Sequence, residues 1–113
     1  MPRSATSTAT RAHIGRMVKR IVQQFDPEQV ILFGSQARGD AGPDSDVDLL
    51  VVMPVRGSRR RQAIEIEMKL SGLGLPKDVI VVTPEEFTAY RDVVGSIAYP
   101  AAHEGHVVYE RTA

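Results

Sequence analysis

The apolar positions along this chain follow two different periods, and the places where one gives way to the other divide it into elements. From Ile14 the residues Met17, Val18, Ile21, Val22 and Phe25 recur at spacings of three and four, with Arg16, Lys19 and Arg20 between them. That spacing predicts an amphipathic helix with one buried stripe. Asp26 and Pro27 end the period, and QVILF (29–33) then runs unbroken into Gly34, as a short buried strand does. DVDLLVVM (46–53) is a second strand, and its continuous apolar run from Leu49 to Met53 predicts burial on both faces. KDVIVVT (77–83), set between Pro76 and Pro84, is a third.

The segment RRRQAIEIEMKLSGLG (59–74) fits both periods. Ile64, Ile66, Met68 and Leu70 alternate with Glu65, Glu67 and Lys69 as in a strand, while Ala63, Ile66, Leu70 and Leu73 keep helical spacing. Good helix formers dominate and Gly72 or Gly74 supplies a stop, so the expectation is a helix. Thr83, Pro84 and Glu86 have the spacing of a helix start, with threonine as N-cap, proline first in the helix and glutamate three residues after the cap. SIAYPAAHEG (96–105) reads as a further short helix, with Ile97 and Tyr99 expected in the core rather than at an interface, the alternative, and HVVYE (106–110) as a last strand. The sum is about four helices and four strands, an α/β layer fold without repeats.

Composition narrows what such a fold can do. At 113 residues the chain is expected to form one domain over 11–113 behind a flexible tail at 1–10, burying roughly two thirds of its unfolded surface. Residues 1–25 contain no acid, a composition that transit peptides share, although a frayed tail and core helix account for it more simply. Lys plus Arg is 14 and Asp plus Glu is 14, which argues against nucleic acid or an anionic membrane as a bulk partner. The arginines at 56, 59, 60 and 61 lack the aromatic neighbours of a single-strand binder and read as a solvated loop and helix start, with phosphate or partner docking as the alternative. The absence of cysteine excludes disulfides and thiolate chemistry and agrees with a cytoplasmic location. No apolar run approaches the ~20 residues that span a bilayer.

Candidate chemistry lies in GSQARGDAGPDSDVDLLVV (34–52). Gly34 and Gly39 have P-loop spacing, but Asp40 and Ala41 stand where lysine and Ser/Thr should be. Asp44, Asp46 and Asp48 begin like a calcium loop, but Leu49 and Val55 occupy its glycine and glutamate positions. HisGluGlyHis (103–106) is one residue short of a zinc-protease pattern and reads as surface histidines near a turn, and GlyLeuGlyLeu (72–75) as a helix stop.

What remains is an electrostatic problem. Same-face strand residues two apart are separated by about 6.6 Å, where two carboxylates repel by roughly 2.5 kcal/mol at an effective dielectric near 20. Asp46 and Asp48 would bear that repulsion for nothing unless they splay into water or share a divalent cation, and hard oxygen donors beside a phosphate favour Mg²⁺. Asp78, a lone acid at the mouth of KDVIVV, is the candidate third ligand if the two strands lie side by side; otherwise it merely starts a strand. Asp44 reads as a turn residue. Gly34 would let the backbone approach a phosphate, Ser35 offers a hydroxyl and an N–H, and Arg38 can pair with phosphate oxygens.

GlySer, AlaArgGly, SerAspValAspLeu and a later strand-borne Asp together resemble the signature of the DNA polymerase β-like nucleotidyltransferases. The closest likeness is to the minimal nucleotidyltransferases found as antitoxins beside HEPN toxins. The resemblance spans nearly the whole chain and implies an α+β fold with a mixed sheet flanked by helices. It implies Gly34 and Ser35 as the phosphate-binding pair, Arg38 as the loop arginine, and Asp46, Asp48 and Asp78 as metal-binding catalytic acids. Two Mg²⁺ ions and ATP would follow, with AMP passing to a tyrosine hydroxyl of a HEPN-domain RNase partner and Asp78 helping to position or deprotonate that hydroxyl. Larger relatives carry a domain for their acceptor, which this chain lacks room for, so a partner is expected to present it. A non-catalytic antitoxin that occludes its toxin, or transfer to a small molecule such as an aminoglycoside, are the alternatives.

Overall fold

The computed structural model describes residues 8–39, 46–74 and 76–112. Its elements run in the order α1 (Thr8–Phe25), β1 (Gln29–Phe33), α2 (Ser35–Arg38), β2 (Val47–Val52), α3 (Arg59–Lys69), β3 (Lys77–Val82), α4 (Pro84–Tyr90), α5 (Ala98–Glu104) and β4 (His106–Glu110). The four strands form one sheet in the order β3-β2-β1-β4. β1 runs antiparallel to β2 and β4, whereas β2 and β3 are parallel. This is the expected mixed sheet flanked by helices, with one short helix, α2, beyond the four anticipated. α1 already begins at Thr8, inside the stretch expected to be tail, and residues 1–7 of that stretch lie outside the described residues.

β1 and β2 are buried on both faces while the edge strand β4 is largely exposed, and strand alternation sorts the buried side chains between two cores. Val30, Leu32, Val47, Leu49, Val51, Val79 and Val81 pack with Ile14, Met17, Val18 and Ile21 of α1 and Ile66 and Leu70 of α3. Ile31, Phe33, Leu50, Val52 and Val82 pack with Phe87 of α4 and Ala98 and Ala101 of α5. Both faces of β2 are therefore dry, which is why its sequence shows no alternation after Asp48. Phe87 and the capping box at Thr83 and Glu86, with both reciprocal bonds made, fix the start of α4.

α3 resolves the double pattern of its sequence. Ile66 and Leu70 are fully buried while Ile64 and Met68 stand 47% and 70% exposed; a strand would have put all four on one face. The expected core role of Ile97 is corrected in the same way. In α5 the small residues Ala98 and Ala101 face the sheet, Ile97 is 44% exposed and Tyr99 is half-buried against His103. Alanines win those positions because the helix sits close to β1. Arg56, Arg59, Arg60 and Arg61 are solvated, around the N-cap Ser58 of α3. No described helix is long and apolar enough to cross a membrane.

Candidate active site

Strand register brings the predicted residues to one end of the sheet. In the antiparallel pair Phe33 faces Asp48, so the chain leaving β1 at Gly34 passes directly beside the start of β2. In the parallel pair Asp48 faces Asp78. Gly34, Asp48 and Asp78 thus lie at one level across three adjacent strands, on the α5 side of the sheet. Asp46 stands exposed one residue before β2, and Ser35 and Arg38 begin and end α2. Asp40 and Asp44, not counted among the ligands, lie outside the described residues.

Gly34 has φ 74° and ψ −154°, a combination only glycine adopts without strain. A Cβ there would also overlap the Oδ2 of Asp48. The glycine is required twice, by its own backbone and by the carboxylate packed against it. Its carbonyl accepts from the N–H groups of Ala37 and Arg38 at 3.1 and 3.0 Å, closing the single turn of α2.

The acids act on one another as the sequence suggested. Asp48 is partly buried, and its carboxyl is pushed above the usual aspartate range first by burial, then by the charges of Asp78 and Asp46, with Arg38 pulling it back. Three charged groups, Asp78, Asp46 and Arg38, are therefore in electrostatic reach of this one carboxylate. Among the described residues no three His, Asp or Glu side chains are gathered closely enough to enclose a metal ion by themselves. The donor set nonetheless suits Mg²⁺, which takes one or two carboxylates, keeps several waters and completes its shell with substrate phosphates. A cation there would relieve the repulsion that raises Asp48.

Three residues that support this end of the sheet escaped sequence reasoning. The Val79 N–H, in the peptide that follows Asp78, donates to Glu67 Oε2 of α3 at 3.1 Å. Ala37 O of α2 accepts from His106 Nε2 at 3.0 Å, so this histidine braces the loop. Arg38 lies 3.9 Å from Glu104 of α5. Each is a contact between elements far apart in the chain, with no local signature. His103, by contrast, pairs with Asp92 at 2.8 Å away from the acids. A cavity of about 830 Å³ backs onto α2 from the α1 side, lined by Ile14, Val18, Leu32, Ala37 and Val108 among others, rather than by the aspartates. Among the described residues Asp46 and Asp78 are exposed and Asp48 partly so, within reach of a substrate bearing its own cations.

The sequence profile of the nucleotidyltransferase domain family matches residues 14–100, a span that holds all six candidate site residues. No curated protein matches the chain. Among solved structures it is similar to the crystal structure, at 1.40 Å resolution, of a candidate nucleotidyltransferase from Sulfolobus solfataricus. The two share 21% identity with a TM-score of 0.67, over 98% of this chain and 91% of the other. At that identity the likeness carries the arrangement of helices and strands.

Proposed function

The chain belongs to the nucleotidyltransferase domain family, and on that premise we propose that it transfers AMP from ATP to a tyrosine hydroxyl of a HEPN-domain RNase and so acts as that RNase's antitoxin. The observation that carries the reading is the shared level of Gly34, Asp48 and Asp78, a glycine turn set against two facing acids. Gly34 and Ser35 would hold the phosphates through backbone N–H groups and the serine hydroxyl, and Arg38 would pair with a phosphate oxygen. Asp46, Asp48 and Asp78 would hold two Mg²⁺ ions. When bound, these supply charge neutralisation around the triphosphate that the aspartates alone would repel.

The acceptor oxygen forms a bond to the α-phosphorus as the bond to the bridging oxygen breaks in line with it, and pyrophosphate leaves. The proton of the acceptor hydroxyl passes to Asp78 or, through it, to water. Asp48, its proton affinity raised by burial and like charge, must be ionised to serve as a ligand, so transfer should rise with pH through its raised pKa.

The test is the intact mass of the HEPN partner after incubation with this protein, Mg²⁺ and each of the four nucleoside triphosphates. A gain of one or more nucleoside monophosphates that disappears with Asp46→Asn supports the proposal. No gain with any triphosphate rejects it. Silencing of the RNase without a mass gain, and equally by Asp46→Asn, would instead favour neutralisation by occlusion.

A further inference from the structure

The two edges of the sheet are built differently. β4 carries a register break opposite Val30 and Ile31, an irregularity that hinders further strands from pairing outward. β3 keeps six residues in unbroken register with β2. The carbonyls of Pro76 and Val82 both reach β2, so even-numbered residues of β3 turn their backbone groups inward and Val79 and Val81 turn theirs outward. Glu67 fills the Val79 N–H. The outer edge is otherwise bordered by side chains of α3 on one flank and Ile97 on the other, around hollows of about 620 and 310 Å³.

This border is apolar and lopsided in charge. Ile64 and Met68, one helical turn apart on the α3 flank, are among the most exposed large apolar residues of the chain, and Ile97 faces the same edge. The first turn of α3 is Arg59, Arg60 and Arg61, with no acid, although the positive end of a helix dipole disfavours cations. Arg59 pairs with Glu86 at 3.0 Å. Among the described residues neither the Arg60 nor the Arg61 guanidinium has such a partner, while Glu65 and Glu67 follow one turn along. An identical helix laid antiparallel would bring its glutamates and its negative end to these arginines, and its own arginines to Glu65 and Glu67.

We propose that this face receives a second copy of the chain about a two-fold axis, α3 against α3, with Ile64 near the axis. The contact is isologous and closes on itself. Because Glu67 holds the edge amide at Val79, it is made by the side chains of α3 and Ile97 rather than by a continuous sheet. The antiparallel arrangement sends the two acid clusters to opposite ends of the dimer, so both sites stay open.

The chain has no cysteine, so single-cysteine variants report this contact directly. The full chain should sediment as a dimer up to about 100 µM, and Met68→Glu should shift it to monomer without changing its circular dichroism. Under mild oxidation Ile64→Cys should form a linked dimer about tenfold faster than Val108→Cys at the opposite edge, because the docked pair holds its thiols at high effective concentration. A full chain that is monomeric throughout that range overturns the proposal, and so does linkage through Val108→Cys as fast as through Ile64→Cys.

Discussion

Asp48 and Glu86 are both carboxylates near the start of an element, yet their proton affinities move in opposite directions. Glu86 is held below the usual glutamate range, first by the Thr83 backbone N–H; desolvation opposes this, and the charge of Arg59 and the side-chain bonds from Thr83 and Arg59 add to the lowering. Asp48 is raised by burial and by Asp78 and Asp46, and only Arg38 opposes them. The chain satisfies the charge of Glu86 with its own groups and sets only Arg38 against the burial and like charges at Asp48. A carboxylate of the first kind serves the fold, and one of the second kind is a cost to the fold that the proposed cation at Asp48 would offset.

The comparison can be broken most sharply at Asp48. Asp48→Asn should reduce nucleotidyl transfer by on the order of a thousandfold, the several kcal/mol expected when a ligand for catalytic cations is lost. It should also raise the melting temperature at pH 7, because the ionised carboxylate no longer has to be accommodated. A raised folded-state pKa favours the folded chain at low pH and is lost as pH rises through it, so the gap from the native chain should close below about pH 3.8, the ordinary aspartate value. Calorimetry across pH 3 to 8 checks the sign, and an unchanged or lower melting temperature at pH 7 would contradict it.

Next in size is Gly34→Ala, which should cost about 1–3 kcal/mol from backbone strain alone and further displace Asp48. Urea unfolding gives the first quantity, and titration with a fluorescent ATP analogue should show nucleotide binding weakened beyond what the stability loss explains. Thr83→Ala, at the other carboxylate, should cost about 1 kcal/mol of stability through the lost cap while leaving transfer unchanged. The smallest effect is expected from Glu86→Gln. The native chain loses the Glu86 contribution as pH falls through that residue's lowered pKa, so the variant's stability should vary less with pH below about 4.5.

Strand positions were legible because QVILF, the run after Asp48, KDVIVV and HVVYE each carry one local pattern bounded by glycine or proline. The helix of residues 59–69 was legible from propensity, since its apolar pattern is double: one set faces the core and the other the β3 edge. The site was legible as two fragments, a glycine turn and a set of acids, because charge repulsion between near neighbours can be reasoned from spacing. What spacing could not supply was the register that sets Asp78 opposite Asp48, or the bonds from Glu67, His106 and Glu104 that steady it. Those depend on which elements become neighbours in space, and single residues such as Glu67, on an already ambiguous helix, carry no mark of a partner twelve positions away.

The pairing of Asp48 with Asp78 also has a consequence for the order in which the molecule comes together. β1 and β2 are neighbours in the sheet with a shorter connection, residues 34–46, than the crossover of residues 53–76, and their pairing sets Gly34 beside Asp48. Asp78 arrives only when the crossover through α3 has closed and β3 has docked, a non-local step that contact order places late. On that order a partly folded chain would bring the glycine turn to Asp48 before Asp78 joins them. The complete acid set comes only with the finished sheet.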